Sequence, residues 1–158
     1  MSKPPVTPAT RLLRQKGVPF ELRLYDYVDH GGTARAAAEL GVDESTVVKT
    51  LVFEDESKKP MLVLMPGDRE ASLKELARVI GVKTVTPCTP EAANRHTGYQ
   101  VGGISPFATR KPLPVYAQTS IFDKPLILIN AGKRGALAAL DPKHLRELLD
   151  VTMVDAAR

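Results

Sequence analysis

The stretch Gly98-Tyr99-Gln100-Val101-Gly102-Gly103-Ile104-Ser105-Pro106-Phe107 concentrates residues able to do chemistry through their main chain. Adjacent glycines permit backbone shapes closed to other residues and let a ligand approach N–H groups closely. Pro106 fixes one dihedral and biases Ser105 toward extended backbone. The expected product is a rigid loop, Gly102–Pro106, presenting amide donors to an oxygen that gains negative charge, as an ester carbonyl does on becoming tetrahedral. Lys49 is the second unusual residue. It stands in Val47-Val48-Lys49-Thr50-Leu51-Val52-Phe53, on the same strand face as Val47, Leu51 and Phe53. An ammonium among apolar neighbours costs free energy unless an anion or carbonyl meets it. Taken singly, a structural turn would account for the glycines, and a lysine snorkelling to water from an edge strand would account for Lys49. The residues alone leave these readings open.

Other chemistries lack their residues. His30, His96 and His144 are far apart and no HxxxH or CxxC spacing occurs, so no zinc or other metal site is expected. No GxSxG elbow marks a serine hydrolase. Neither GxxxxGK[ST] nor GxGxxG is present, so no nucleotide cofactor is expected, nor any other cofactor. Cys88, between Pro87 and Thr89-Pro90, reads as an inert small hydrophobe rather than a nucleophile.

A chain of 158 residues, 43% apolar and 25% charged, fits one soluble domain, here residues 1–158. No apolar run is long enough to span a membrane and no signal peptide is evident. A single cysteine suits a reducing compartment, and a cytoplasmic location is expected. The net charge of +4 is unevenly spread. Residues 1–94 balance 13 basic against 13 acidic side chains, whereas residues 95–146 carry eight basic (Arg95, Arg110, Lys111, Lys124, Lys133, Arg134, Lys143, Arg146) and two acidic (Asp123, Asp141). That segment could steer and hold a polyanion, although a solvated basic face without a ligand would look the same.

The elements that must position these groups follow from local signals. Thr7 and Pro8 open a helix stopped at Gly17, and Phe20–Tyr25 alternates as a half-buried strand. Thr33 is expected to cap an Ala-rich helix ending at Gly41. Val47–Phe53 and Met61–Met65 read as a hairpin around a charged loop. Ser72-Leu73-Lys74-Glu75 reads as a capping box before a helix closed by Gly81. Thr89-Pro90 opens another helix, closed by Gly98. Strands are expected near Val115–Ala117 and Leu126–Asn130, then a basic turn Gly132–Gly135 and a short strand. Asp141-Pro142 starts the last helix. Strands and short helices mix without regular alternation, which predicts an α+β domain around a mixed sheet.

Three stretches together resemble the YbaK/EbsC family, freestanding relatives of the editing domain inserted in bacterial prolyl-tRNA synthetases: Thr7-Pro8-Ala9 with Arg11-Leu12-Leu13, Val48-Lys49-Thr50-Leu51, and Thr97 through Pro106. A fourth is Gly132-Lys133-Arg134-Gly135. The likeness extends over residues 7 to 150. It implies a mixed-sheet α+β fold and trans-editing deacylation of aminoacyl-tRNA, with mischarged proline-tRNA the usual substrate and prolyl-tRNA synthetase a candidate partner. It implies that Lys49 is the family's strand lysine, that Gly102, Gly103, Ile104, Ser105 and Pro106 form its GxxxP loop, and that Tyr25 is its tyrosine after the first strand. For YbaK itself it implies cysteinyl-tRNA, whose own thiol attacks the ester carbonyl.

The chain departs from that member around the amino-acid pocket: Gly31-Gly32-Thr33 lacks an aromatic, Asn130 stands for a serine, Ala131-Gly132 for a glycine pair, Leu137 for an aspartate and Ala108 for a glycine. On this reading Tyr25, Asn130 and Gly132 shape the pocket, and Arg110, Lys111, Lys133 and Arg134 meet acceptor-stem phosphates. The rivals are release of alanine or 2-aminobutyrate by an ordinary water, and a non-catalytic RNA-binding or regulatory module.

Overall fold

The computed structural model describes residues 4–158. Helix α1 (Pro8–Gln15) begins where extended Thr7 accepts from the Thr10 N–H through Oγ1, and Thr10 accepts in return from the Thr7 N–H. The Thr7 hydroxyl also donates to the Ala131 carbonyl, so the cap is at the same time a tie to the sheet. Thr7 thus serves the helix and the sheet with one hydroxyl, and Pro8 follows at a position where its missing N–H costs nothing.

Seven strands are hydrogen-bonded in the order β1 (Glu21–Leu24), β7 (Ala136–Leu140), β6 (Ile127–Lys133), β2 (Val47–Asp55), β3 (Pro60–Pro66), β5 (Val115–Gln118) and β8 (Val151–Val154), with β4 (Val85–Pro87) on β2. The pairs β1/β7, β6/β7, β2/β3 and β2/β4 are antiparallel; β2/β6, β3/β5 and β5/β8 are parallel. The sheet is therefore mixed, as an α+β domain requires.

Side-chain alternation sends β2 residues to opposite cores. Val48 and Val52 join Leu62, Leu64, Ile127 and Ile129 beneath α1, α4 (Pro90–Thr97) and α5 (Lys143–Leu148), with Leu13, Phe107 and Leu145 fully buried. On the other face α3 (Leu73–Ile80) covers Phe53, Met61, Val63 and Met65, while α2 (Gly32–Leu40) covers Val47, Leu128, Leu137 and Ala139. Lys49 falls on that second face, between its two apolar clusters.

Several local expectations need correction. Ser72 Oγ caps α3 by accepting from the Glu75 N–H, but the Glu75 carboxylate turns to Arg78, leaving half a capping box. Thr33 does not cap α2: its hydroxyl bonds to Glu44 and lies 3.2 Å from the Gly67 carbonyl, and Gly31 is the N-cap with no side-chain bond. A neighbour one turn along the helix outbids the cap for Glu75, and tertiary partners do so for Thr33. Strand β6 runs on to Lys133 through a bulge after Asn130, which shrinks the basic turn to Arg134-Gly135. Strands β4 and β8, three and four residues long, give no sequence signal because their stability comes from neighbours already in the sheet. No helix among the described residues is long and apolar enough to cross a membrane.

Candidate active site

Strand β2 pairs with β3 along Val48–Glu54, but its other edge is shared by two short partners: β6 reaches only Val47 and Val48, and β4 only Phe53–Asp55. Residues 49–52 have no neighbouring strand on that side; Cys88 donates its N–H to the Val52 carbonyl there at 3.0 Å. The split in the sheet opens a cleft of about 560 Å³. Because the sheet is interrupted, residues from both faces reach the cleft: Tyr25, Ala36 and Leu137 from one, Gly102 and Ile104 from the other, with Lys49 and Thr50 on its floor.

Lys49 is half-buried, and its ammonium takes part in no hydrogen bond or ion pair among the described residues. The two other cations of the lining are engaged. Arg35 donates to the Asp26 carbonyl (3.2 Å) and pairs with Glu39 (3.2 Å). Arg134 donates through Nε to the Val101 carbonyl (2.9 Å) and lies 5.1 Å over the Tyr27 ring. Asp29 is the one carboxylate in the lining among the described residues. The free ammonium of Lys49 is thus the positive group available to an incoming anion or carbonyl. Thr50, another residue of the lining, has its Oγ1 buried without a hydrogen-bond partner. Burial, with Tyr27 nearby, raises the pKa of Tyr25 above its ordinary value, so its hydroxyl stays protonated as a donor.

The glycine loop is pinned at both ends. Tyr99, 4% exposed, donates its hydroxyl to the Phe107 carbonyl at 2.6 Å, and burial pushes its pKa up to about 12. Asn94 Nδ2 donates to the Tyr99 carbonyl (3.1 Å), and fully buried Phe107 anchors the far end. Inside the loop some donors are already taken. Gly103 N–H goes to the Gln100 carbonyl (2.8 Å) and Phe107 N–H to Ser105 Oγ (3.1 Å). The N–H groups of Gly102, Ile104 and Ser105 meet no acceptor among the described residues, and Pro106 has none to give. Ser105 is fully buried and its hydroxyl is spent on the loop itself.

Among the predicted site residues, Tyr25, Lys49, Gly102, Ile104, Asn130 and Arg134 meet in one lining. Gly103, Ser105 and Pro106 are buried just behind it, and Gly132 and Lys133 flank it on the bulge. Arg110 and Lys111 lie outside the lining, where their N–H groups bond the Thr97 and His96 carbonyls at the end of α4 (3.0 and 3.2 Å). Tyr27, Thr50 and the segment Val28–His30 are lining residues that sequence reasoning missed. A tyrosine at spacing two from Tyr25 was the available signal for Tyr27.

Among the described residues no cysteine or serine lines the cleft, and none of its hydroxyls is hydrogen-bonded to an imidazole. Cys88 is half-buried near Glu54 (3.7 Å), and burial, then that carboxylate, push its thiol up to about 11. No three His, Cys, Asp or Glu side chains converge as metal ligands among the described residues. The arrangement offers a cation and preorganised amides, which polarise a carbonyl and stabilise an oxyanion.

Residues 30–148 match the family described as the aminoacyl-tRNA editing domain. EbsC of Enterococcus faecalis, named as a candidate Cys-tRNA(Pro)/Cys-tRNA(Cys) deacylase, is 32% identical over 145 residues, 90% of this chain and 87% of that protein. The proline–tRNA ligase of Nitratidesulfovibrio vulgaris is 30% identical over 112 residues, which make up 71% of this chain and 18% of the ligase. A crystal structure described as a candidate trans-editing enzyme for prolyl tRNA synthetase superposes with a TM-score of 0.85 at 25% identity, covering 98% of this chain and 99% of that one.

Proposed function

Because the chain belongs to the aminoacyl-tRNA editing domain family, we propose that it is a trans-editing hydrolase that removes a wrongly attached amino acid from tRNA(Pro), with cysteinyl-tRNA(Pro) as its substrate. The observation that carries this reading is the meeting, in one cleft, of the unengaged Lys49 ammonium with the unclaimed N–H groups of Gly102 and Ile104. The amides receive the carbonyl oxygen as it becomes an oxyanion, where one such donor contributes roughly 10²–10³-fold in rate. Lys49 pairs with the terminal adenosine's phosphate or with the carbonyl region. Tyr25, Asn130 and Gly132 bound the pocket. Lys133 and Arg134 at the rim, with Arg110 and Lys111 beyond the loop, meet acceptor-stem phosphates. Prolyl-tRNA synthetase is the candidate partner that would supply the mischarged tRNA.

The attacking group comes from the substrate: the cysteinyl thiol adds to its own ester carbonyl, the ribose oxygen leaves carrying the thiol's proton, and water then opens the resulting four-membered thiolactone to free cysteine. That no serine or cysteine among the described residues enters the lining supports this. A second reading rests on His30, an imidazole in the lining that could activate an ordinary water for small thiol-free residues. Release of amino acid by catalytic amounts of protein from cysteinyl-, alanyl- and 2-aminobutyryl-tRNA(Pro), under identical conditions, tests both. Cysteine alone should be released. A water-based pocket discriminates neighbours by only about 1–3 kcal/mol per methylene, so efficient release of 2-aminobutyrate would sink the thiol-assisted mechanism. No turnover of any of the three would return the chain to the class of binding modules.

A further inference from the structure

The turn Arg134-Gly135 and the glycine loop are in main-chain contact: a Cβ on Gly103 would stand 2.7 Å from the Arg134 nitrogen. Side chains then hold successive peptide units of the loop. Asn130 Oδ1 accepts from the N–H groups of Gly132 (2.7 Å) and Lys133 (3.2 Å), while its Nδ2 donates to the Gly102 carbonyl (3.1 Å). Arg134 Nε donates to the Val101 carbonyl (2.9 Å) with its guanidinium 5.1 Å over the Tyr27 ring. Tyr27 in turn covers Gly102, where an added Cβ would meet its hydroxyl at 2.5 Å.

The Val101 carbonyl and the Gly102 N–H belong to one peptide unit. In a trans peptide these two groups point in opposite directions within a plane, so fixing one aims the other. A charged donor on the carbonyl also polarises the unit, making its N–H a stronger donor. The Gly102 N–H is one of the amides with no protein acceptor, and Gly102 lines the cleft.

The geometry points to Arg134 as a positioning residue that aims and polarises the Gly102 amide at the ester carbonyl, a duty separate from any contact it makes with RNA phosphate. The inference rests on the deacylase reading above and assigns a new role within that site. A phosphate contact needs only charge, which lysine also carries. Sitting over the Tyr27 ring while donating through Nε to the Val101 carbonyl needs the guanidinium fork.

Arg134→Lys separates the two duties. With cysteinyl-tRNA(Pro) under single-turnover conditions at saturating protein, the deacylation rate constant should fall by about tenfold to 10²-fold, as expected for a misplaced catalytic dipole. The dissociation constant for tRNA, and its slope against salt, should stay within about twofold because the charge count is unchanged. A wild-type rate constant combined with weakened binding would reduce Arg134 to a phosphate contact and overturn the inference. Tyr27→Leu gives an independent reading if Arg134→Lys is poorly folded: it removes the platform and keeps every charge. It should show the same split, and a wild-type rate constant in that variant overturns the inference too. Wild-type protein that releases no amino acid from any mischarged tRNA(Pro) would refute the deacylase reading and this inference together; turnover with both variants unimpaired refutes the inference alone.

Discussion

Gly103→Ala should slow catalysis far more than it destabilises the protein. The Cβ of an alanine there would lie 2.7 Å from the Arg134 nitrogen, 3.0 Å from the Lys133 carbonyl carbon and 3.2 Å from Lys133 Cα. All three atoms are main chain, at the end of β6 and in the turn that follows it, so no side-chain tip can swing away. Reaching an ordinary contact of 3.4 Å requires the loop and the turn to part by about 0.7 Å. Overpacking of this kind costs about 1–3 kcal/mol, or several degrees of melting temperature for a chain of this size. The displaced groups include the amides we propose to receive the carbonyl oxygen, and misplacement approaching 1 Å costs about 10²-fold in rate. The assay pairs thermal unfolding with single-turnover deacylation, using Gly81→Ala as the reference. Gly81 caps α3 at φ +86 with nothing within 4 Å of a Cβ, so alanine there strains the backbone remote from the cleft. Gly81→Ala should lose about 1 kcal/mol of stability and keep its rate. A wild-type rate in Gly103→Ala, or an equal slowing in both variants, would refute the argument from loop placement.

Lys49→Ala should lower the deacylation rate by at least about 10²-fold while stability changes by less than about 1 kcal/mol, because a half-buried stem leaves no sealed cavity; a turnover assay beside a denaturant melt checks both, and wild-type turnover removes Lys49 from the mechanism. His96 concerns pH: burial, then the cations Lys111 (3.2 Å from Nδ1) and Arg95, lower its pKa despite the opposing pull of Glu54. The unfolded imidazole therefore takes its proton first on acidification. This contribution to stability is complete above the ordinary value near 6.5 and is lost as pH falls below it. Unfolding free energies measured across that interval should slope downward in the wild-type protein and flatten in His96→Asn; parallel curves would show that His96 is not the source.

The capped helices and the Lys49 strand were legible because their signals are local: Thr7, Ser72 and Thr89 each cap a helix with a hydroxyl. The glycine loop was legible as a source of donors, but not which donors are free. That depends on the Gln100 carbonyl and the Ser105 hydroxyl, whose capture of two amides follows from the folded loop. The split edge of β2 was invisible because it arises from how far β6 and β4 happen to extend, a property of register and not of any residue in 49–52. Arg134 read as a surface charge in a basic run; its inward turn onto Val101 and Tyr27 spans separations of 33 and 107 residues, beyond the reach of any local pattern.

The state of Cys88 has a practical side. A thiol held near pKa 11 is ionised to about one part in ten thousand at neutral pH, and only the ionised form attacks disulfides and alkylating agents. Cys88 is also the sole cysteine of the chain. The protein is therefore nearly transparent to a chromogenic disulfide, so the thiol content of a reaction mixture reports on the aminoacyl group and not on the catalyst. Closure of a cysteinyl ester to its thiolactone withdraws one thiol until water reopens the ring, a loss that quenched samples titrated with the disulfide would reveal with no mutation needed to silence the background.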